Sequence, residues 1–451
     1  MIFIVYSETT DALIQQRLGR SEYSYYFVLK EFRPVLEQLG MVVTVADPKR
    51  EVDTLYHAAR RIGQDAVFLS FTPPHLTVWG LECPTIPIFA WEFETIPNET
   101  WYGEREQDWR YGLDKLGRAI THSRHAVRTV QAEMGPDFPI VSIPAPVYDR
   151  FAALYAEAAA RPIGGPVELS VNGTVIDSRD VDFSIYRPDP WFDSHYPAEP
   201  EMVEDPNVRT PVRLDGIIYS SIFNPYDGRK NWTEMMGCFC RAFLDVPDAT
   251  LVLKFTHHDG AMMMARALAH LYKHTPFKCR IVLIHGFLDK VDYEALITAS
   301  TYSANTSHGE GQCLPLMESM ACGRPALAPN HSGMADYLTA DNAFMIRSSR
   351  EPTSWPHDPR AAYRTFRRRI DIETLIDAYR ASYRIAKDEP ARYAAMGEAA
   401  HRAMAEHCPR SATAERLMSF IATPPRPPRR DPSYGYIRPR PDAPWIVPEA
   451  P

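Results

Sequence analysis

The chain has 451 residues, 45% hydrophobic and 24% charged, with a formal net charge of −8. That apolar content is enough to fill cores and excludes a collagen-like or generally low-complexity chain. The acidic balance argues against a nucleic-acid-coating protein, which needs a basic footprint on phosphate. At roughly 100–200 residues per domain the length predicts two domains, with three as the upper bound.

The opening run MIFIVYSETT lacks a basic n-region and a cleavage site, so it reads as a first strand and not as a signal peptide. Tyr25–Leu39 carries Phe27, Val28, Phe32, Val35, Leu36 and Leu39 at helical spacing, closed by Gly40. Strands are expected at Met41–Ala46, Ala66–Phe71, Ile86–Trp91, Ala119–His122 and Ile140–Ile143, with helices at Leu55–Ile62 and Val127–Met134. Strands separated by helical patterns imply βαβ units on a parallel sheet. Residues 162–211 break the rhythm. Val167–Ser170 and Thr174–Asp177 flank Asn172-Gly173, a two-residue hairpin signal, and a stretch rich in Pro and Asp follows.

The α/β pattern then restarts. Leu214–Ser220, Thr250–Phe255, Arg280–Ile284, Ala299–Asn305 and Pro325–Pro329 read as strands; Trp232–Phe243, Met262–Lys273, Tyr293–Thr298 and Pro315–Cys322 read as helices. Three helices at Ile372–Asp388, Ala391–Glu406 and Ser411–Ile421 close the folded part, and the Pro/Arg-rich tail beyond Thr423 is expected to be extended or disordered. The fold class expected is α/β: two Rossmann-like doubly wound domains facing across a cleft, with a β-hairpin insertion and a Pro-rich C-terminal tail. The domains are 1–160 and 213–408, the insertion and linker 161–212, and the tail 423–451; the helix 409–422 is expected to pack back on the first domain. Seven scattered cysteines without zinc spacing, and no apolar run near the roughly 20 residues needed to cross a bilayer, predict reduced thiols in a cytoplasmic protein.

Chemistry concentrates in two loops. In SHGEGQCLPLMESMACGRPALAP, Glu310 and Glu318 stand eight positions apart, and Pro315 suits the first turn of the helix between them. That helix start offers free N–H groups to a phosphate, and Gly309 and Gly311 let backbone approach a ligand. Glu318 can accept two hydrogen bonds from a ribose-like diol, and Glu310 can do the same for sugar hydroxyls. Alone, such a pair is more often a solvated one; the Gly, Pro and apolar frame reverses that reading. In YSSIFNPYDGRKNW, Arg229 and Lys230 follow a strand and precede a helix, a placement suited to a diphosphate.

Together the carboxylate pair, the Arg-Lys loop and the tandem α/β layout resemble retaining glycosyltransferases of family 4, with the GT-B fold. EGQCLPLMESMACGRPALAP and FNPYDGRKNW carry the resemblance, with weaker echoes in THSRHAVRTVQAEMG and IPAPVYDRF. The resemblance implies that Glu310 contacts the donor sugar, that Glu318 holds the ribose, and that Lys230, helped by Arg229, stabilises the departing diphosphate. Gly309, Gly311, Gln312, Cys313, Leu314, Asn224 and Asn231 complete the expected donor site. Two departures stand out: many relatives carry Arg where Asn224 stands, and E-G-F-G where this chain has Glu310-Gly311-Gln312-Cys313.

Gly19, Tyr23, Glu92 and His122 are the expected acceptor-binding residues, from strand ends and loops of the first domain; Glu94 is an alternative to Glu92, and half of the Tyr cluster reads equally as a buried helix face. Asp180-Val181-Asp182 reads as a chance match, His257-His258-Asp259 could ligate a metal but has no recognisable third ligand, and no metal or other cofactor is expected. The partners expected are a nucleotide sugar and a glycan or lipid-linked acceptor, with no nucleic acid. The basic run Arg364–Arg369 reads as a solvated or interdomain face, with peripheral contact at the inner membrane face as the alternative. A nucleotide-sugar epimerase of the same fold and a non-catalytic nucleotide- or glycan-binding protein are the competing functions.

Overall fold

The computed structural model describes residues 1–10, 13–20, 22–187, 198–203, 205, 208–356 and 358–429. The first sheet is built from β1 (Ile2–Tyr6), β2 (Met41–Thr44), β3 (Ala66–Ser70), β4 (Thr85–Phe89), β5 (Ala119–Thr121) and β6 (Ile140–Ser142), all parallel, in the order β2-β1-β3-β4-β5-β6. Helices cover both faces, so strand residues on either side are apolar. Along β1, Phe3 and Val5 join the core with Phe32 and Leu36 of the helix Ser24–Leu39, while Ile2 and Ile4 pack on Val52 and Ala59 of the helix Pro48–Arg61.

The second sheet has eight strands: β7 (Gly164–Asn172), β8 (Thr174–Asp177), β9 (Arg209–Phe223), β10 (Ala249–Phe255), β11 (Arg280–His285), β12 (Tyr302–Ala304), β13 (Ala326–Pro329) and β14 (Ala343–Ile346). Its order is β14-β13-β12-β9-β10-β11-β8, with β7 paired to β9; β9 to β14 are mutually parallel where they pair.

The expected hairpin at Asn172-Gly173 is not formed. β7 pairs antiparallel with the first half of β9, and β8 pairs antiparallel with β11. A two-residue type I′ turn needs positive φ at both central positions; only Gly173 has it, at +150°, while Asn172 ends the strand. A Cβ on Gly173 would lie 2.2 Å from the His285 carbonyl oxygen, so the chain uses glycine there to cross from one strand partner to another. The insertion is therefore part of the second domain's core: Val167, Leu169 and Val171 alternate inward with Val212 and Leu214 over Ile218, Val252 and Val282. Residues 188–197, 204 and 206–207 of the expected linker lie outside the described residues.

A two-stranded antiparallel ribbon, β15 (Ser348–Ser354) with β16 (Tyr363–Ile370), occupies the basic run that had read as a charged face before a helix. It reaches the first domain. Arg350 and Arg368 bind Glu94 at 2.7 and 3.0 Å, Arg364 binds Glu99 at 2.7 Å, and the Thr95 amide donates to Thr365 Oγ1 at 3.1 Å. The interdomain reading of that run holds.

The helices Ile372–Asp388 and Pro390–His407 finish the second domain, and Arg410–Ile421 returns to the first, where Leu417 and Phe420 enter the same core as Phe32 and Leu36. The start of the Pro/Arg tail continues across that domain. Arg118 donates to the Thr423 carbonyl at 2.7 Å, the Arg426 amide to Gly117 O at 2.9 Å, and the Arg429 amide to Asp114 at 3.0 Å. Residues 430–451 lie outside the described residues.

Candidate active site

A cavity of about 880 Å³ opens between the two domains, lined by residues that follow β4, β9, β10, β11 and β12. This is where open α/β sheets place ligands, outside the carboxyl ends of their strands.

Glu310 sits in the loop after β12 and is 4% exposed. The loop is fixed from below: the Glu310 amide donates to Ser332 Oγ at 2.9 Å, and its carbonyl accepts from the Gly333 amide at 2.9 Å. The carboxylate accepts from Lys230 Nζ at 2.7 and 2.9 Å, from Ser307 Oγ at 2.6 Å and from Arg229 at 3.3 Å. Burial opposes the charged form, but the two cations and these hydrogen bonds override it and hold the carboxyl down at about 2. Lys230 is shifted the other way: burial lowers its pKa, but Glu310 and the other nearby anionic groups, Asp227 among them, together raise it above the ordinary value.

Arg229 and Lys230 are presented by a short turn, Gly228–Lys230, capped by Asp227. The Arg229 guanidinium is a hub, contacting Asp227 at 2.8 Å, Gly309 O at 2.6 Å and, across the cleft, Glu92 at 3.0 Å. Glu92, expected to bind an acceptor, is thus engaged with Arg229 of the second domain; burial raises its pKa and Arg229 pulls it back only in part.

Glu318 is buried on the helix Leu314–Ala321, whose first turn carries Pro315 and whose cap residue Cys313 takes a φ of +62°. Tyr293 donates to Glu318 Oε2. Burial, with Glu31 and Glu294 nearby, raises the Glu318 pKa to about 7 against the opposing Tyr293 hydrogen bond and Arg150 charge. Burial also pushes the Cys313 thiol up to about 12, and Leu314 lines the cavity.

Several expected residues have duties other than ligand contact. Gly309 and Gly311 approach the first domain: a Cβ on Gly311 would lie 2.6 Å from Ala90 Cβ, and one on Gly309 3.2 Å from Glu92 Cβ. Gln312 accepts from the Ala145 amide at 3.0 Å across the domain boundary, and Asn224 donates to Gly19 O at 2.8 Å. Gly19, at φ +77°, is pressed against His257, where a Cβ would be 2.2 Å from the ring. Asn231 binds Glu234 at 2.7 Å and Thr306 O at 3.3 Å, clipping the Glu310 loop to the next helix. Tyr23 lines the cavity, its hydroxyl raised to about 12 by burial. Tyr25 and Tyr26 are buried, as the helix-face reading had it.

His122 does not line the cavity: it is 1% exposed, its Nδ1 bound to Ile143 O at 2.9 Å, and burial lowers its pKa to about 4. Asp182 caps the turn Phe183–Tyr186, and His257 and His258 bind the carbonyls of Asp259 and Leu18. Sequence reasoning missed Tyr293, Arg150 and Lys254, all of which line the cavity. For Lys254 a signal was available: a lysine inside the apolar strand run LVLKF.

No family model matches the chain, and no curated protein matches it in sequence. Solved structures do match in shape. The chain is similar to a sucrose-phosphate synthase from Thermosynechococcus elongatus, with a TM-score of 0.51 at 11% identity over 93% of this chain and 98% of that one. It is similar to a glycosyltransferase from Rickettsia africae, again at 0.51, with 10% identity over 94% and 99% of the two chains. A TarM variant from S. aureus, solved with fondaparinux, α-GlcNAc-glycerol and UDP, gives 0.47 at 10% identity; the match covers 82% of this chain and 58% of TarM. The chain has the GT-B fold. In that GT-B frame the Glu310–Lys230–Arg229 cluster lies on the second domain's wall of the cleft, and Glu92 faces it from the first.

Proposed function

We propose that the protein is a glycosyltransferase of the retaining, family 4 type, moving a hexosyl group from a nucleoside diphosphate sugar to a hydroxyl of a glycan or lipid-linked acceptor without a metal. The observation that carries this reading is the buried cluster of Glu310, Lys230 and Arg229 in the interdomain cleft. In it, Lys230 and Arg229 neutralise the departing diphosphate, a task that elsewhere falls to a metal. Preorganised charge on a leaving group is often the largest catalytic contribution. Glu310 orients the cations in the free enzyme and takes sugar hydroxyls in the complex, while Glu318, on its buried helix, accepts from the ribose. The acceptor hydroxyl enters from the first domain and attacks on the face that the nucleotide leaves, giving its proton to a phosphate oxygen.

The test is transfer from a panel of UDP-, GDP- and dTDP-sugars, chosen by thermal shift, to polyprenyl-phosphate-linked sugars. Lys230→Ala is expected to lower kcat by about 10²–10³, and Glu310→Gln to abolish transfer in a folded protein. Near-normal turnover in both variants would overturn the proposal. Nucleotide release that needs no acceptor would point to an epimerase instead.

A further inference from the structure

The charges at the head of the cleft are nearly all matched. Arg229 and Lys230 face Asp227, Glu92 and Glu310, two cations against three carboxylates. An incoming diphosphate therefore meets a cluster that is already anionic overall. Asn224 adds no charge, and its amide is occupied at both ends: it donates to Gly19 O and accepts from the Tyr226 amide at 3.0 Å.

Among the described residues of the cavity wall, one buried cation is not matched by a carboxylate, whereas Arg20, Lys30 and Lys290 are exposed to solvent. Lys254, near the end of β10, is 5% exposed and lines the cavity. Among the described residues no carboxylate pairs with it, and its ammonium group donates to Thr256 Oγ1 at 3.1 Å. An ammonium has three donors, so two are left for a ligand. Its place fits the same end of the cleft. Lys254 is paired in the ladder with Ile222 of β9, two residues before Asn224 and just ahead of the turn that presents Arg229 and Lys230. A buried, unpaired charge is costly and is normally retained where a partner arrives.

We propose that Lys254 is an anion-binding residue of the cleft, seating the diphosphate of the nucleotide together with Lys230 and Arg229. The identity of the anion rests on the nucleotide-sugar reading; the existence of an anion seat at Lys254 does not. Burial lowers the Lys254 pKa to about 7 in the ligand-free chain, so the seat works best when the lysine is protonated. The titratable groups around it are His285 on β11, held low by burial and further by the Lys254 charge, and, along the same cavity, Asp289, Lys290, Tyr293, Arg20 and Glu22.

The experiment is calorimetric titration of the full chain and of Lys254→Met and Lys254→Arg with UDP, inorganic pyrophosphate and uridine, at pH 6.5 and 8.5. Lys254→Met is expected to weaken UDP and pyrophosphate by roughly 10- to 100-fold at pH 6.5, the range of a lost charged hydrogen bond, and to leave uridine unchanged. Lys254→Arg keeps both ligands and, relative to wild type, loses affinity less on going to pH 8.5; the ligands' own titration is common to all three proteins. Unchanged UDP and pyrophosphate binding in Lys254→Met overturns the proposal while leaving the nucleotide-sugar reading in place. So does loss of UDP and uridine without loss of pyrophosphate, which would make Lys254 a nucleoside contact. Lys254-dependent pyrophosphate binding with no nucleoside diphosphate binding overturns the nucleotide-sugar reading and supports the seat. Failure of wild type to bind any of these ligands overturns both. Near-UV circular dichroism checks the fold, and Lys254→Gln replaces Lys254→Met should the latter fail it.

Discussion

Glu310 and Glu318 lie eight positions apart, yet their surroundings drive their acidities in opposite directions, to about 2 and about 7. For Glu318, carboxylate is the form that accepts from a diol. In a Lys254→Met chain, which lacks the opposite pH dependence of the lysine, UDP affinity is therefore expected to rise as pH climbs through about 7 and to level off above it. Glu318→Gln should flatten that limb, read by calorimetry between pH 6 and 8 in a Lys254→Met background. For Glu310 the sign is the reverse. Its folded pKa is depressed below the unfolded value, so its stabilisation is full above about 4.5 and fades as pH falls towards 2. Glu310→Gln leaves Lys230 buried without its carboxylate, at a cost of roughly 3–5 kcal/mol. In urea melts that gap between wild type and variant should be largest near pH 7 and narrow below pH 4.5. Both carboxylates were legible in sequence because loop glycines and a helix-starting proline framed them. Lys254 left a weaker signal: its place in the apolar run LVLKF marks it as buried, but nothing in the run says that it faces a cavity. The two loop glycines were legible as close-approach positions, but sequence could not say that the surface they approach is Ala90–Glu92 and not a ligand.

At the level of elements, local patterns were read well and long-range pairings poorly. Ile372–Asp388 was placed to the residue, because its caps and apolar spacing are contained in its own sequence. The Asn172-Gly173 signal failed because the partners of β7 and β8 come from β9 and β11, strands 37 and more residues away. The β15–β16 ribbon was missed because SSREPTS and YRTFRRRI lack the apolar alternation that marks a strand, and its ion pairs are made to another domain. The Glu310 loop makes its own demand on that contact. Gly311→Ala places a methyl 2.6 Å from Ala90 Cβ, and overpacking of this kind costs about 1–3 kcal/mol. A thermal melt should show the loss, and Ala90→Gly in the same chain should recover most of it.

Across the whole molecule the two domains meet at the cleft through Arg229–Glu92 and Gln312–Ala145, and beyond it through the ribbon to Glu94 and Glu99 and the returning helix Arg410–Ile421 with the segment that follows it. Residues 423–429 touch the first domain at Arg118, Gly117 and Asp114, away from the cavity. Deleting residues 423–451 is expected to lower Tm by a few degrees and to leave UDP affinity within twofold; a larger loss of affinity would tie the tail to the site.

Because Leu417 and Phe420 complete the core around Phe32 and Leu36, the first domain is written in two pieces separated by the whole second sheet. A chimera made to exchange acceptor preference by a single crossover just ahead of β7 would pair a new sheet with a foreign closing helix. Such grafts should be designed with two junctions, so that the last helix travels with the sheet it covers.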